Sequence, residues 1–335
     1  MRAHVLSGSG INGLAIRELP EPTPGPGEVV VLVGATSLNF RDLLIARGAT
    51  DRIPLSDGAG VVSAVGEGVR GVSVGDHVAG CFFQHWLDGR IEARHHDAAL
   101  GGSVDGMLAE AVVLPAAGVV AAPRGWSDEQ SATLPCAGLT AWNALVEGQR
   151  LRPGATVLLL GTGGVSVFGL QFAQMLGLRT IMTSSSDDKL ARMRDLGADV
   201  TINYRTHEEW QHLVLEATGG AGVDLVLEVG GGQTLARSMA CTRFGGEIAL
   251  IGMVSGQAPI DPFPLLGRSA TLRGVYVGSR RMFTDMVAAI DANPMEPVID
   301  RVFAFDEAQD AYRHLRGQSH VGKVVIAVGS QSLPA

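Results

Sequence analysis

Lysine is almost missing from this chain of 335 residues. Of its 26 basic side chains only Lys189 and Lys323 are lysine, and the other 24 are arginine. A GC-rich coding bias accounts for the arginine excess, but not for where the two exceptions fall. Cysteine is scarce too: Cys81, Cys136 and Cys241 are odd in number and far apart, which excludes a disulfide framework and points to a reducing compartment. Charged residues make up only 18 %, with a formal net charge of −8. That balance argues against a nucleic-acid backbone or an anionic membrane surface as the main partner. The first residues carry no charged-then-apolar leader; Ser7, Gly8, Gly10, Asn12 and Gly13 interrupt it. The uncharged run from Pro153 to Leu178 has the length of a membrane span. Glycines at 154, 161, 163, 164, 169 and 177 would weaken a helix there. The expectation is a soluble, cytoplasmic chain of about two domains.

What is abundant is apolar surface, at 46 % of residues, and glycine, at 45. The first 120 residues read as β-rich. Short apolar runs (Glu28–Val33, Gly60–Val65, Asp76–Ala79, Ala109–Leu114) alternate with Gly, Pro and Asp turns. The texture changes near Pro123–Ser127, where Ser127 reads as the N-cap of a helix with Asp128 and Glu129 in its first turn. From Thr156 onward apolar strands (156–160, 179–183, 200–202, 223–229, 247–251) alternate with helical segments (165–176, 187–196, 208–217, 233–242). Continuously apolar strands between helices predict a parallel sheet covered on both faces. Two further helical segments, 281–291 and 307–315, precede a last strand, Lys323–Val328, which lies outside that alternation.

Strand Thr156–Leu160 runs into Gly161-Thr162-Gly163-Gly164-Val165-Ser166 and then a helix. Glycine at the first two positions lets backbone amides approach a pyrophosphate, and the helix N-terminus favours its charge. Ser166 is small enough for the third position. A glycine-rich turn between buried elements is the plain alternative. The second strand ends in Ser184, Ser185 and Ser186, where a carboxylate would bind a ribose 2′-hydroxyl, and Lys189 follows in the next helix. Hydroxyls and an ammonium suit a 2′-phosphate, and Tyr204 and Arg205 end the third strand nearby. Against this, Asp187 and Asp188 are close, and Ser186-Asp187-Asp188 is also an ordinary helix start. NADP(H) is favoured over NAD(H). Gly230, Gly252 and Val277 complete the cofactor residues expected in this part of the chain.

Several runs now accumulate. They are Pro24-Gly25-Pro26-Gly27-Glu28-Val29, Ser37-Leu38-Asn39-Phe40-Arg41-Asp42, Asp57-Gly58-Ala59-Gly60 with Val65-Gly66, and Val74-Gly75-Asp76-His77-Val78. Leu134-Pro135-Cys136-Ala137-Gly138-Leu139-Thr140-Ala141-Trp142, the glycine turn, Leu196-Gly197-Ala198 and Gly322-Lys323-Val324-Val325 follow. In this order they resemble the medium-chain dehydrogenase/reductase superfamily over nearly the whole chain. The resemblance implies an α/β protein with a GroES-like, β-rich substrate domain (1–122 and 279–335). A doubly wound Rossmann domain (123–278) would hold NAD(P) in a cleft between the two. It also implies that Lys323 returns toward that cleft, although a solvated strand start is the equal alternative.

Zinc-containing members place Cys, His-Glu and Cys around a catalytic metal; the matching positions here are Asn39, Ser56 with Asp57, and Cys136. One thiol and one carboxylate do not make a three-ligand zinc site, and Cys81 stands alone where four cysteines would hold structural zinc. Cys136 reads as a small buried residue. His95 and His96, with Glu92 and Asp97, read as a solvated lid rather than a metal cluster. The chain thus resembles the zinc-free, quinone oxidoreductase-like branch, in which hydride passes to an electron-poor carbon and the acceptor oxygen needs only hydrogen-bond donors. That reading makes Asn39 the donor and Thr140 a positioner of the nicotinamide. Phe40, Thr50, Ser56, Phe83, His85 and Trp86 are expected around the substrate, with Asn39. Leu44 and Thr50 stand where bacterial quinone reductases carry tyrosines, so the pocket is altered. Met253 and Gly278 replace the Lys and Asp of fatty-acid-synthase enoyl reductases. The proton donor is left open between water and His85.

The resulting expectation is an NADPH-dependent reductase of quinones or enones, assembled as a homodimer or homotetramer through a sheet extended by the strands at 247–251 and 270–277. The alternatives are a metal-dependent NAD(P) alcohol dehydrogenase and an NADPH-binding redox sensor with little catalysis.

Overall fold

The computed structural model of the protein describes residues 1–48 and 50–329. Its contacts divide the chain into two compact units: Met1–Leu139 with Val277–Ala335, and Thr140–Tyr276. The change of texture near Pro123 therefore does not part them, because residues 123–139 pack with the first unit. Ser37 Oγ lies 2.8 Å from the Ala132 carbonyl and 3.0 Å from Asp57 Oδ2, so its one hydrogen is shared between them, and the Ser127-capped turn Asp128–Ser131 lies against the strands of that unit.

In the first unit, β1 (Arg2–Ser7) pairs antiparallel with β2 (Leu14–Glu18), neither of which the sequence announced. The strand expected over 28–33 runs on as β3 (Glu28–Leu38). Its second half contains Thr36 and Ser37, which look like turn residues. Both hydroxyls donate to Asp57, so the strand continues with its polar groups satisfied. Helix α1 (Phe40–Ile45) follows β3 directly, then β4 (Thr50–Arg52), β5 (Asp57–Val65), β6 (His77–Gly80), β7 (Ala111–Pro115) and β8 (Val119–Ala121).

The second unit is a parallel sheet of β9 (Thr156–Leu160), β10 (Arg179–Ser184), β11 (Val200–Asn203), β12 (Val223–Glu228), β13 (Thr242–Leu250) and β14 (Thr271–Gly274). Spatial order is β11-β10-β9-β12-β13-β14, so the chain winds to one side from β9 and then to the other. The switch point, between β9 and β12, is where open α/β sheets bind ligands at the carboxyl ends of their strands. β9 is buried along its full length, as a central parallel strand must be. Helix α2 (Gly164–Met175) packs so closely on the sheet that a Cβ at Gly169 would lie 2.9 Å from both Leu159 and Leu227. The run 153–178 thus resolves into a strand and a helix. No helix among the described residues is long and apolar enough to cross a membrane.

The chain then supplies β15 (Ile299–Ala304) and β16 (Lys323–Ala327), and the last strand does rejoin the first unit. β16 runs between β15 and β3, completing a seven-stranded sheet. Tyr312, Phe303, Leu108, Leu6 and Val31 share the apolar core of this unit.

Candidate functional site

In the second unit the turn after β9 has the form a pyrophosphate needs. Gly161 sits at φ +74°, and Cβ atoms built at Gly161 and Gly163 would meet nothing within 4 Å. Open space therefore stands over the loop, and the first amides of α2 have no partner within the helix. Gly163 caps that helix, its carbonyl accepting from Val167 N at 3.0 Å. Thr162 is buried between the two glycines. Ser166 does more than fit: its hydroxyl donates to the Leu160 carbonyl at 2.6 Å and ties helix to strand. With Gly164 and Val165 in the first turn, these residues fit a dinucleotide pyrophosphate.

At the next strand end, Ser184 is buried and lies in register with Asn203, and its carbonyl accepts from Tyr204 N at 3.0 Å. Ser184 and Tyr204 are thus brought together, with Ser185 beside them and Tyr204 exposed. Ser186 caps the following helix by accepting from Lys189 N. Asp187, an argument against a 2′-phosphate, is held by Asn203 Nδ2 at 2.9 Å.

Sequence reasoning missed Glu228, the last residue of β12. It is fully buried, and its carboxylate accepts from Gly230 N at 2.8 Å, Gly231 N at 3.0 Å, the Thr234 hydroxyl at 2.6 Å and the Ser238 hydroxyl. The Gly230 carbonyl accepts from Ser255 Oγ at 2.7 Å, and a Cβ at Gly252 would lie 2.7 Å from the Val229 oxygen. One carboxylate thus pins the loop that leaves β12 beside the switch point, and the Gly230 carbonyl in turn holds the loop that leaves β13. The available signal was an ionisable residue closing an apolar strand before three glycines. Thr140 is buried in the helical turn Leu139–Trp142. Val277, a β-branched residue at φ +55°, holds a strained backbone where the chain re-enters the first unit.

In the first unit, strand register assembles a polar cluster at one end of β3. Asp57 stands across from Ser37 and Val324 across from Leu38, so Asp57 and Lys323 flank the start of α1. Asn39 caps that helix: its backbone N–H donates to Asp42 Oδ2 at 2.7 Å. Lys323 Nζ donates to Asn39 Oδ1 at 2.7 Å, to the Leu38 carbonyl at 2.8 Å and to Asp57 Oδ2 at 3.1 Å. An ammonium has three donors, and all three are taken. Lys323 is 3 % exposed, so it is not a solvated strand start, and that alternative is corrected. Because lysine only donates, the Asn39 carboxamide must face it with oxygen. Its Nδ2 is buried and has no acceptor among the described residues.

Ser56 and Ser37 donate to the two Asp57 oxygens at 3.1 and 3.0 Å. The preceding Leu55 is buried at φ +70°, and side chains at Gly101 or Gly106 would collide with its backbone. Strain of this kind persists only where the surroundings enforce it. Burial pushes the Asp42 carboxyl up to about 6, against the pull of Arg41 and the Asn39 N–H. The folded state holds that proton more tightly than the unfolded chain, so Asp42 favours folding at low pH. That contribution is lost as pH rises through about 6. Arg41 stacks over Phe82 at 4.4 Å and donates to the Leu100 carbonyl, a structural use of its charge.

Of the residues expected around the substrate, two of the aromatic ones pack on each other and on their own loop. Phe83 and Trp86 are buried and lie 6.0 Å apart, Trp86 stacks on His95, and its Nε1 donates to the Gly89 carbonyl. They hold their loop together because two large rings bury more area packed on each other than facing water. His95 is buried as well, whereas Glu92, His96 and Asp97 are exposed, so the reading of a solvated loop fails at His95 alone. His85 is exposed, Phe40 packs partly on the core, and the side chain of Thr50 lies outside the described residues.

A zinc ion does not fit the donor set at Asn39, Ser56, Asp57 and Cys136. Asp57 is committed to a lysine and two serines, and burial, then the Asp57 charge, push the Cys136 thiol well above its usual range. Among the described residues no group of three or more His, Cys, Asp or Glu is placed to hold a metal.

Comparison with known proteins agrees with this architecture. Residues 25–124 match the alcohol dehydrogenase GroES-like domain, and residues 164–292 match the family described as zinc-binding dehydrogenase. The chain is 44 % identical over 334 residues to a zinc-type alcohol dehydrogenase-like protein of Schizosaccharomyces pombe, covering 96 % of each. It resembles the solved structure of an NAD-dependent alcohol dehydrogenase at 34 % identity and TM-score 0.89, covering 98 % of this chain and 100 % of that one. It also resembles mycobacterial Rv1454c complexed with NADPH, at 29 % identity and TM-score 0.82, covering 98 % and 99 %. On its GroES-like unit, its Rossmann sheet and these relatives, the chain belongs to the medium-chain dehydrogenase/reductase superfamily of oxidoreductases.

Proposed function

We propose that the chain is a zinc-independent, NADP(H)-dependent reductase of quinones or α,β-unsaturated carbonyls. The observation that carries this reading is Asn39 Nδ2, a buried donor with no acceptor among the described residues, held in its orientation by Lys323. Gly161 to Val165 would hold the pyrophosphate, Ser184, Ser185, Lys189 and Tyr204 the adenosine end, and Thr140, Gly230, Gly252 and Val277 the nicotinamide end. Bound in reduced form, the nicotinamide supplies a hydride. Asn39 donates to the acceptor oxygen as negative charge develops there, the task that a Lewis acid performs in a metal-dependent relative. A donor aimed in advance costs no reorganisation at the moment of reaction, and one such donor is typically worth about 100- to 1000-fold in rate.

The direct test is turnover of 1,4-benzoquinone and an enone panel with NADPH before and after exhaustive chelation. Chelator-resistant turnover is the expected result, and loss of activity with the metal would point instead to an alcohol dehydrogenase. Tight NADPH binding with no turnover of any acceptor would point to a sensor. The cofactor preference has its own test in Lys189→Ala. Losing a cation at a phosphate removes a charge-assisted hydrogen bond, so Kd for NADPH should rise about tenfold or more. The NADH value should barely move. Equal changes would make Lys189 an ordinary helix-surface charge.

A further inference from the structure

We propose that Lys323 is a positioning residue for the reaction: its ammonium is the fixed cation behind Asn39 and keeps the carboxamide turned with its N–H donors away from the lysine. The proposal rests on the reading of Asn39 as the donor to the acceptor oxygen. Three acceptors surround Nζ: the Leu38 carbonyl, Asn39 Oδ1 and Asp57 Oδ2, at 2.8, 2.7 and 3.1 Å. Remove the ammonium and the two that remain, a carbonyl and a carboxylate, face the Asn39 side chain. The carboxamide then gains by rotating its NH2 inward, which turns oxygen toward the substrate and repels the charge it should stabilise. With Lys323 present that rotation would set oxygen free and drive N–H against N–H. A cation on Oδ1 also polarises the amide and strengthens Nδ2 as a donor. Two of the residues that match zinc positions in the family resemblance, Asn39 and Asp57, thus meet on a lysine contributed by β16.

Lys323→Met alone strands the buried Asp57 carboxylate. The test therefore uses K323M/D57N, in which the carboxamide that replaces this carboxylate still accepts from one serine and can donate to the other. Four proteins are compared: parent, N39A, K323M/D57N and the triple variant. Each is assayed by single-turnover oxidation of NADPH with 1,4-benzoquinone, NADPH titration and thermal melting. The expected result is a loss in K323M/D57N of about 30-fold or more, approaching that of N39A, with NADPH affinity changed less than about threefold. The triple variant should be no slower than N39A, because a positioning residue has nothing left to position. Full additivity in the triple variant, or a folded K323M/D57N at the parental rate, overturns the proposal. Should that variant not fold, an atomic-resolution crystal structure of the parent decides it: Nδ2 rather than Oδ1 toward Lys323 refutes it. A parental rate in N39A, or no quinone turnover by the parent, removes the reading beneath it as well.

Discussion

Replacing Asn39 with alanine is expected to lower kcat by about 100- to 1000-fold while the protein stays folded. The variant removes Nδ2, which makes no hydrogen bond to any of the described residues, so the catalytic loss has no structural counterpart on that side of the amide. On the other side it removes Oδ1, one of three acceptors of a buried ammonium, at a cost of about 1.5–3 kcal/mol. The helix cap survives in part, since the Asn39 backbone N–H to Asp42 bond does not involve the side chain. Steady-state kinetics with NADPH and 1,4-benzoquinone therefore separate two roles. A donor to the developing charge lowers kcat and kcat/KM together and leaves the cofactor Kd in place. A merely structural asparagine lowers the melting temperature and leaves kcat alone, and that pattern would falsify the assignment.

The glycine turn was legible because its geometry leaves the chain no choice. A positive φ at Gly161 and a helix starting at once after it restrict the residue types to those the sequence displays. The apolar runs of β9 and β12 were legible for a similar reason, since only a strand covered on both faces uses such a pattern. Lys323 was not. It stands 284 residues from Asn39, and only the register of β16 on β3 decides that its ammonium turns inward. A strand start has no local signal for which face its first side chain takes. The aromatic loop was ambiguous for another reason. Phe83 and Trp86 read equally well as pocket or packing, and the choice depends on His95 and His96 arriving from beyond a turn. The join between the units was obscured because residues 128–147 are largely helical, so no change of local pattern marks position 139.

Glu228 is where a single substitution should damage the cofactor unit most. Alanine there strands two backbone N–H groups and two hydroxyls that now converge on one carboxylate with no exposure to water. The Gly231 N–H and the Ser238 hydroxyl are the fully buried donors; each such donor left unsatisfied costs about 1–3 kcal/mol, a large share of the ~5–15 kcal/mol that holds a typical protein folded. Glu228→Ala should therefore melt far below the parent and bind NADPH weakly, because the Gly230 loop loses its anchor. Glutamine is the informative contrast. Its oxygen can take the place that now accepts from Gly230, Gly231 and Thr234, and its NH2 can donate to Ser238 Oγ once that hydroxyl rotates. Only the charge is lost, so Glu228→Gln should melt within a few degrees of the parent and keep NADPH affinity within about threefold, as a neutral hydrogen bond of the same geometry replaces a charged one. Equal damage from both variants would mean that the negative charge itself organises this end of the sheet, and the hydrogen-bond account of the loop would have to be abandoned.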